Sequence, residues 1–186
     1  MEQREGWIGF HSDLEGAFRE ELYSDIAVKP GCGPPIRAHK FMLATRSEIL
    51  CKAAPEESIS LPEFDHEELE TFLEFLYRGD LAREQFEKHF CSLLIAADKY
   101  EIPHLQKFSE QQLLRMLNPS NALSILEISD IVLNETLRNA ALKLIVLQYK
   151  EIVLTASFEE FAKQKPQLVV QITKAALTYA SMKRII

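Results

Sequence analysis

The spacing of apolar residues changes along the chain: alternation typical of strands is confined to its first part, and helical spacing dominates the remainder. Over residues 13–23, Leu14, Phe18 and Leu22 lie four positions apart, which predicts a short amphipathic helix. Such a stripe either packs on the core of its own chain or contacts a second copy, and the pattern alone leaves both alternatives open.

Alternating apolar residues next predict a β-hairpin. Its first strand carries Ile26 and Val28 and stops at Pro30, and its partner strand begins at Ile36 after an irregular loop. The same part of the chain is predicted to contain a helix over 39–50 and a short strand over 58–61. We therefore expect a small sheet in the first half of the chain.

Helix start and stop signals define most of the other elements. Asp65 can cap a helix start while Glu68 completes a capping box, and Gly79 supplies the stop. Ser157 with Glu160 predicts a second capping box. The other predicted helices cover 84–100 and 104–117, an antiparallel pair at 122–129 and 137–145, and a last helix from Pro166.

The polar cluster at 118–121 is the strongest internal boundary, because Pro119 interrupts the preceding helix and its neighbours can cap the next one. All predicted strands lie before this cluster, and only helices follow it. We therefore predict an α+β fold with two domains. The first, residues 1–117, holds a small sheet flanked by helices, and the second, residues 118–186, is a helical tail.

Composition and charge narrow the classes of function. The chain has 186 residues, of which 47% are hydrophobic and 26% are charged, as in ordinary globular proteins. Its net charge of −7 divides into −9 for residues 1–117 and +2 for residues 118–186. The chain therefore lacks the basic surface that nucleic-acid binding requires, and we expect no nucleic-acid partner.

The sequence also predicts an intracellular protein. No apolar run approaches the roughly 20 residues that cross a bilayer, and the first residues lack the order of a signal peptide. The three cysteines are odd in number and widely separated, which favours reduced thiols over a secreted disulfide framework. We expect no membrane association and a location in the nucleus, the cytoplasm or both.

Residues that carry catalysis or bind metals show no productive spacing. The five histidines match no zinc-ligand pattern, and His89 and Cys91 point to different sides of their predicted helix. Gly31 and Gly33 lie in the hairpin loop and form no phosphate-binding motif. We therefore predict no catalytic, cofactor or metal site, and keep a hydrolase that uses Cys51 or Cys91 as an alternative class.

Residues 56–74 contain eight acidic residues and no lysine or arginine. Some of these carboxylates favour the positive end of the predicted helix, and others lie on its outer face. The run is therefore either a solvated face or an acidic docking surface for a basic partner.

Two segments carry a resemblance to a known family. The sequences SDIAV at 24–28 and IRAHKFMLATRS at 36–47 strongly resemble the BTB/POZ signature, a strand followed by A-H-K-x-x-L-A-x-R-S. The motifs that continue it in family order are ISLPEF at 59–64, FLEFLYRG at 72–79 and LIAADKY at 94–100. Residues 118–172 resemble the shortened BACK or 3-box helices that follow the BTB domain in speckle-type POZ proteins. The length resembles the short stand-alone BTB/POZ proteins of plants.

This resemblance implies a non-enzymatic adaptor that dimerises with itself or with another BTB protein. It also implies docking on the N-terminal domain of cullin-3 in a ubiquitin ligase and recruitment of an unidentified protein substrate. A dimerisation module that regulates BTB proteins or transcription factors without a ligase is the alternative. The residues assigned to the dimer interface are Leu14, Phe18, Leu22, Asp25 and Lys40. Those assigned to the cullin contact are Ala54, Glu56, Glu57, Tyr77 and Tyr100.

Overall fold

The computed structural model describes residues 13–53 and 57–183. Its backbone forms two compact units, residues 1–109 and 110–186. The first contains a three-stranded sheet with helices, and the described residues of the second form helices, so the predicted α+β class is confirmed. The domain division predicted after residue 117 stays a prediction. No helix in the described ranges is both long and apolar enough to cross a membrane.

The sheet lies in the first unit and has the order β2-β1-β3. Its strands are β1 (Ile26–Cys32), β2 (Ile36–Ala38) and β3 (Ser58–Asp65). The central strand β1 pairs antiparallel with β2 and parallel with β3. The predicted hairpin is confirmed, and the side chains of Ile26 and Val28 are fully buried in the core.

Two strands run past the points where the sequence predicts their ends. Strand β1 continues through Pro30 and Gly31, and β3 continues through Pro62. The register between them shifts after Pro30, a bulge that accommodates a residue without an N–H group. A Cβ atom on Gly31 would lie 2.2 Å from the carbonyl oxygen of Pro62, so only glycine fits where the strands approach. The predicted ends are wrong because pairing between distant segments extends both strands.

The helices of the first unit are α1 (residues 13–19), α2 (Lys40–Arg46), α3 (Glu48–Ala53), α4 (His66–Arg78) and α5 (Arg83–Lys99), and α6 (Pro103–Met116) begins in it. The single helix predicted over 39–50 is wrong, because Ser47 is extended and separates α2 from α3. The Ser47 hydroxyl donates to the carbonyl of Tyr100 at 2.6 Å and accepts from the Leu50 N–H at 3.1 Å. A contact with a distant residue therefore decides this break.

The first helix is also shorter than predicted. It ends at residue 19, and Glu21 and Tyr23 in the following turn have φ values of 53° and 57°. Left-handed backbone interrupts a helix, so the stripe predicted over 13–23 is wrong beyond residue 19. Leu22 consequently lies in a turn and not on the face of α1.

The capping signals of α4 are confirmed. Asp65 accepts from the Glu68 N–H at 2.8 Å, and the Glu68 carboxylate accepts from the Asp65 N–H at 2.9 Å. Gly79 ends the helix with a φ of 72°. Local sequence is sufficient here because both caps involve residues within one helical turn.

Five further helices lie in the described part of the second unit: α7 (Ala122–Ile131), α8 (Glu135–Leu147), α9 (Tyr149–Val153), α10 (Ala156–Gln164) and α11 (Pro166–Lys183). Helices α7 and α8 pack against each other over a core that includes Ile125 and Ile145. The capping box predicted at Ser157 is wrong: Thr155 caps α10 instead, and its hydroxyl accepts from the Phe158 N–H at 3.1 Å. Ser157 lies inside the helix.

Candidate interaction site

The turn that follows α1 is exposed and is held by His39. The ring atom Nε2 of His39 lies 2.7 Å from the carbonyl oxygen of Leu22, which can only accept, so Nε2 donates. Leu22 is 48% exposed and Tyr23 is 97% exposed. The left-handed residues of this turn are not glycines, and such strain persists where surrounding contacts over-determine the backbone. The turn therefore presents two large side chains outward.

A buried hydroxyl completes the attachment of His39. The Tyr77 hydroxyl accepts from the His39 backbone N–H at 2.9 Å and is hydrogen-bonded to Nδ1 of the His39 ring at 2.7 Å. Burial raises the pKa of Tyr77 above its ordinary value, which keeps the hydroxyl protonated and able to donate. Tyr77 and His39 thus connect α4, the start of α2 and the exposed turn.

The predicted stripe of α1 faces the core of its own unit. Phe18 is buried and stacks on Tyr77 with the ring centroids 4.6 Å apart. Leu14 is half-buried. Of the three residues predicted from the stripe, only Leu22 is exposed on the described surface, and it lies beyond the helix. The assignment of all three to a dimer interface stays a prediction.

Asp25 and Lys40 meet through the backbone. The carboxylate of Asp25 accepts from the Lys40 backbone N–H at 2.8 Å, at the start of α2. Helix starts have unpaired N–H groups, so this bond stabilises the first turn. The bond reaches the backbone of Lys40 and not its ammonium group, and the place of the two residues in a dimer interface stays a prediction.

Sequence reasoning missed Phe41, which lies in the first turn of α2 and is 72% exposed. Met42 and Leu43, the next two residues, are buried. Phe41 therefore lies off the buried face of α2, and its position relative to these two residues was the signal that could have indicated its exposure.

We call Leu22, Tyr23 and Phe41 the Tyr23 patch. His39 bonds to the Leu22 carbonyl and directly precedes α2, so it links the turn to the helix that carries Phe41. Large exposed apolar side chains on neighbouring elements are typical of interaction surfaces.

The predicted cullin-contact residues lie in different environments. The side chains of Tyr77 and Tyr100 are almost fully buried, and Glu57 is exposed. Ala54 and Glu56 lie outside the described residues. The set therefore has one member, Glu57, whose side chain is exposed on the described surface.

The hydroxyl of the buried Tyr100 belongs to a small polar cluster with Glu63 and Lys99, which are both exposed residues. The hydroxyl donates to the Glu63 carboxylate, which also accepts from the Lys99 ammonium at 2.9 Å. Burial by itself raises the pKa of Glu63, but the hydrogen bonds from Tyr100 and Lys99 outweigh it and lower the pKa below its ordinary value. Burial, followed by the bond to Glu63, raises the pKa of Tyr100.

Most of the acidic run between residues 56 and 74 is used internally. Glu63, Asp65 and Glu68 accept the bonds given above, and Ser92 also donates to Glu68. Glu67 pairs with Lys88, and the nearly buried Glu74 pairs with Arg19 and Arg78 at 3.1 and 2.8 Å. Of the members of the run that the structure describes, only the exposed Glu57 and Glu70 have no such side-chain partner. The run as a whole is therefore not a free acidic surface.

The cysteines and the possible metal ligands form no common cluster in the described part of the chain. Cys32, Cys51 and Cys91 are exposed and lie on separate elements, β1, α3 and α5. No group of three or more histidine, cysteine or acidic residues in the described ranges is arranged to hold a metal ion. The large exposed side chains of the Tyr23 patch lie on the turn after α1 and in the first turn of α2.

Comparison with known proteins agrees with this arrangement. The family model of the BTB/POZ domain matches residues 14–117. One BTB/POZ domain-containing protein of Arabidopsis thaliana is 40% identical over 192 residues, which cover 98% of this chain and 68% of that relative. A second from the same plant is 39% identical over 186 residues and covers 95% of this chain and 89% of its own.

A solved BTB domain, that of zebrafish PATZ1, is 17% identical, with a TM-score of 0.49 over 62% of this chain and 95% of that chain. Proteins with BTB/POZ domains are in general non-catalytic modules that associate with themselves and with other proteins. The family match over residues 14–117 and the two plant relatives identify the present chain as a member of the BTB/POZ family.

Proposed function

We propose that this protein is a non-enzymatic adaptor that dimerises through the Tyr23 patch and links a target protein to the N-terminal domain of cullin-3. In this proposal it acts in a ubiquitin ligase of the nucleus or the cytoplasm. The observation that carries the dimer is the exposure of Leu22, Tyr23 and Phe41 around His39, since burying such side chains favours association. Asp25 and Lys40 flank the same surface at the start of α2.

The dimer is tested with charged substitutions on the patch. We expect light scattering to give a dimer for the wild type and a monomer for Tyr23→Glu combined with Phe41→Glu, because a carboxylate at an apolar interface loses its hydration without a partner. Leu177→Glu is the matched control, since Leu177 is 65% exposed in the second unit. A doubly substituted chain that remains a dimer contradicts the assignment.

Phe18→Asp is not a clean test of this interface. Phe18 stacks on Tyr77 inside the first unit, so a carboxylate there destabilises the fold of each protomer. Substitutions on the Tyr23 patch avoid this difficulty because the exposed side chains leave the core unchanged.

The adaptor role is tested by calorimetric titration of the full chain with the cullin-3 N-terminal domain. We expect binding in the micromolar range or tighter, weakened by Glu57→Lys and unchanged by Glu70→Lys, because only Glu57 belongs to the predicted contact. The two carboxylates are both exposed and unpaired, which makes the variants a matched pair. No binding at tens of micromolar would exclude the adaptor role.

A dimerisation module without a ligase is the second candidate. The burial of Tyr77 and Tyr100 favours it, because two of the five residues predicted for the cullin contact have their rings inside the first unit. This candidate predicts the same dimer by light scattering together with no cullin binding. The two measurements therefore separate the candidates.

A further inference from the structure

A cleft of about 310 Å³ opens beside strand β2 in the first unit. Its walls are β2 with the preceding proline, the end of α1 with its turn, and the outer face of α4. This volume lies at the lower end of the range for ligand sites, about 300–1,000 Å³, and suits one or two side chains of a larger partner. The ring of His66 donates through Nδ1 to the carbonyl of Pro34 at 2.9 Å, which ties the start of α4 to the hairpin loop.

One wall of this cleft is the edge of a sheet. Because the strand order is β2-β1-β3, β2 pairs with β1 on one side only, and no strand in the described part of the chain pairs with its other side. The outer N–H and C=O groups of such a strand can pair with an added strand. Extended peptides bind proteins in this way, with main-chain bonds for affinity and pockets for alternate side chains.

The cations around the cleft already have partners. Arg37 donates to the hydroxyl and carbonyl oxygens of Ser24 at 3.1 and 2.7 Å. Arg19 donates to Glu15 at 2.9 Å and to Glu74 at 3.1 Å. These bonds hold the guanidinium groups against the protein and neutralise the charge of Glu74.

The carboxylates of Glu21 and Glu70 outnumber the one remaining cation, Arg37, whose bonds go to neutral oxygens of Ser24. Both carboxylates line the cleft and are exposed, and neither makes a hydrogen bond or ion pair within 4.0 Å of any residue that the structure describes. Glu70 also attracts Arg19 at longer range. The two carboxylates come from different elements, the turn after α1 and the outer face of α4. The uncompensated charge at the cleft is therefore negative and is complementary to a basic side chain.

We propose that this cleft binds an extended segment of a partner protein by strand addition to β2, with a lysine or arginine of that segment directed at Glu21 and Glu70. Phe18 and Ile36 contribute apolar surface for the residues beside that basic side chain. The site does not require cullin binding, and its decisive residue, Glu70, lies outside the Tyr23 patch.

The probe is a display library of random heptapeptides, selected on the folded full chain. We expect the enriched peptides to share one basic position flanked by apolar residues. A synthetic peptide of that consensus should bind the wild type at least about tenfold more tightly than Glu70→Lys, with a smaller loss for Glu70→Gln. Glu57→Lys is the matched control and should leave the affinity unchanged.

Three outcomes overturn the charge assignment: no enrichment, a consensus without a basic residue, or equal affinity of the peptide for wild type and Glu70→Lys. Raised salt should weaken the binding, because exposed charges are screened. Light scattering and the cullin titration are run on the same wild-type and Glu70→Lys samples. Loss of the dimer or of cullin binding can then be distinguished from loss of peptide binding.

The strand addition is tested through the backbone. We expect the consensus peptide to slow hydrogen exchange at the Arg37 amide. This amide points away from β1, because Ala27 opposite it bonds to Glu57 on the other side of β1. A version of the peptide N-methylated at alternate residues should lose its affinity, because it cannot donate to the strand edge. Unchanged exchange at β2, or equal binding of the methylated peptide, overturns the proposed mode.

Discussion

At the scale of single residues, the hydroxyl of Tyr77 is a contact on which the exposed turn depends. It joins the backbone and the ring of His39, and the same ring holds the carbonyl of Leu22. A buried hydroxyl with both partners present stabilises the fold, whereas its loss leaves polar groups without partners.

Tyr77→Phe tests this contact. We expect it to lower the free energy of unfolding by about 1–3 kcal/mol, because the His39 N–H and Nδ1 lose a partner while the ring remains. The measurement is urea denaturation followed by circular dichroism. Tyr23→Phe, at a position 97% exposed, is the matched control and should change stability by less than about 0.5 kcal/mol. Equal midpoints for the two variants would contradict the role given to this hydroxyl.

The cluster of Glu63, Tyr100 and Lys99 predicts a dependence of stability on pH. The pKa of Glu63 is lowered below its ordinary value of 4.5, so the unfolded chain binds its proton more readily than the folded chain. The stabilisation is therefore complete above pH 4.5 and is lost as the pH falls through the lower folded value.

Glu63→Gln should remove this part of the pH dependence. We expect the stability difference between wild type and Glu63→Gln to be largest near neutral pH and to shrink in acid. Denaturation series at several pH values measure it, and Tyr100→Phe should reduce the same difference because one donor to Glu63 is lost. A difference that is constant with pH would contradict the assignment.

At the scale of elements, the start of α10 shows how the structure selects one of two possible N-cap residues that lie two positions apart. Both Thr155 and Ser157 are residue types that favour a helix start, but only Thr155 accepts a bond from the first turn. Thr155 also donates to the carbonyl of Ile152 at 2.7 Å, which joins the new helix to the end of α9.

Replacing Thr155 and Ser157 in turn tests which of them caps α10. Thr155→Ala should lower the free energy of unfolding by about 1 kcal/mol, the usual effect of losing an N-cap. Ser157→Ala lies within the helix and should change it by less than about 0.5 kcal/mol, since alanine is a good helix former. Thermal unfolding of the full chain compares them, and a larger effect at Ser157 would reverse the assignment.

At the scale of the whole molecule, the limits of the BTB domain can be tested by truncation. The family match ends at residue 117, whereas the compact unit of the backbone ends at residue 109, inside α6. A cut at 109 leaves half of a fourteen-residue helix, and short helices are marginal without their full length.

We expect the chain 1–117 to unfold in one cooperative transition and to be more stable than the chain 1–109. Differential scanning calorimetry of the two fragments makes the comparison. If 1–109 is equally stable, the second half of α6 contributes nothing to the first unit and the predicted domain division is placed too late.

The elements that could be predicted from sequence are those decided within a few residues. The capping box of Asp65, the stop at Gly79 and the start of α11 at Pro166 depend on local backbone chemistry, and the structure confirms them. The break at Ser47 depends on the carbonyl of Tyr100, 53 positions away, so no local signal predicts it.

The signature segments were sufficient to identify the family, and the region around His39, Asp25 and Lys40 stays a prediction for the interaction surface. The segments were not sufficient to say which side chains face outward. The stripe of α1 is equally compatible with the core and with an interface, and only the stacking of Phe18 on Tyr77 assigns it to the core. Phe41 and Glu70 are the opposite case: only the structure assigns them to the surface, because their exposure depends on which side chains the neighbouring elements cover.

The sequence by itself therefore determined the class of fold, most helix limits and the family, because these follow from short-range periodicity, caps and a contiguous motif. The tertiary structure decided the extent of β1 and β3, the burial of Tyr77 and Tyr100, and the charges left at the surface. The physical reason is the same in each case: burial, strand pairing and charge compensation are properties of contacts between residues distant along the chain.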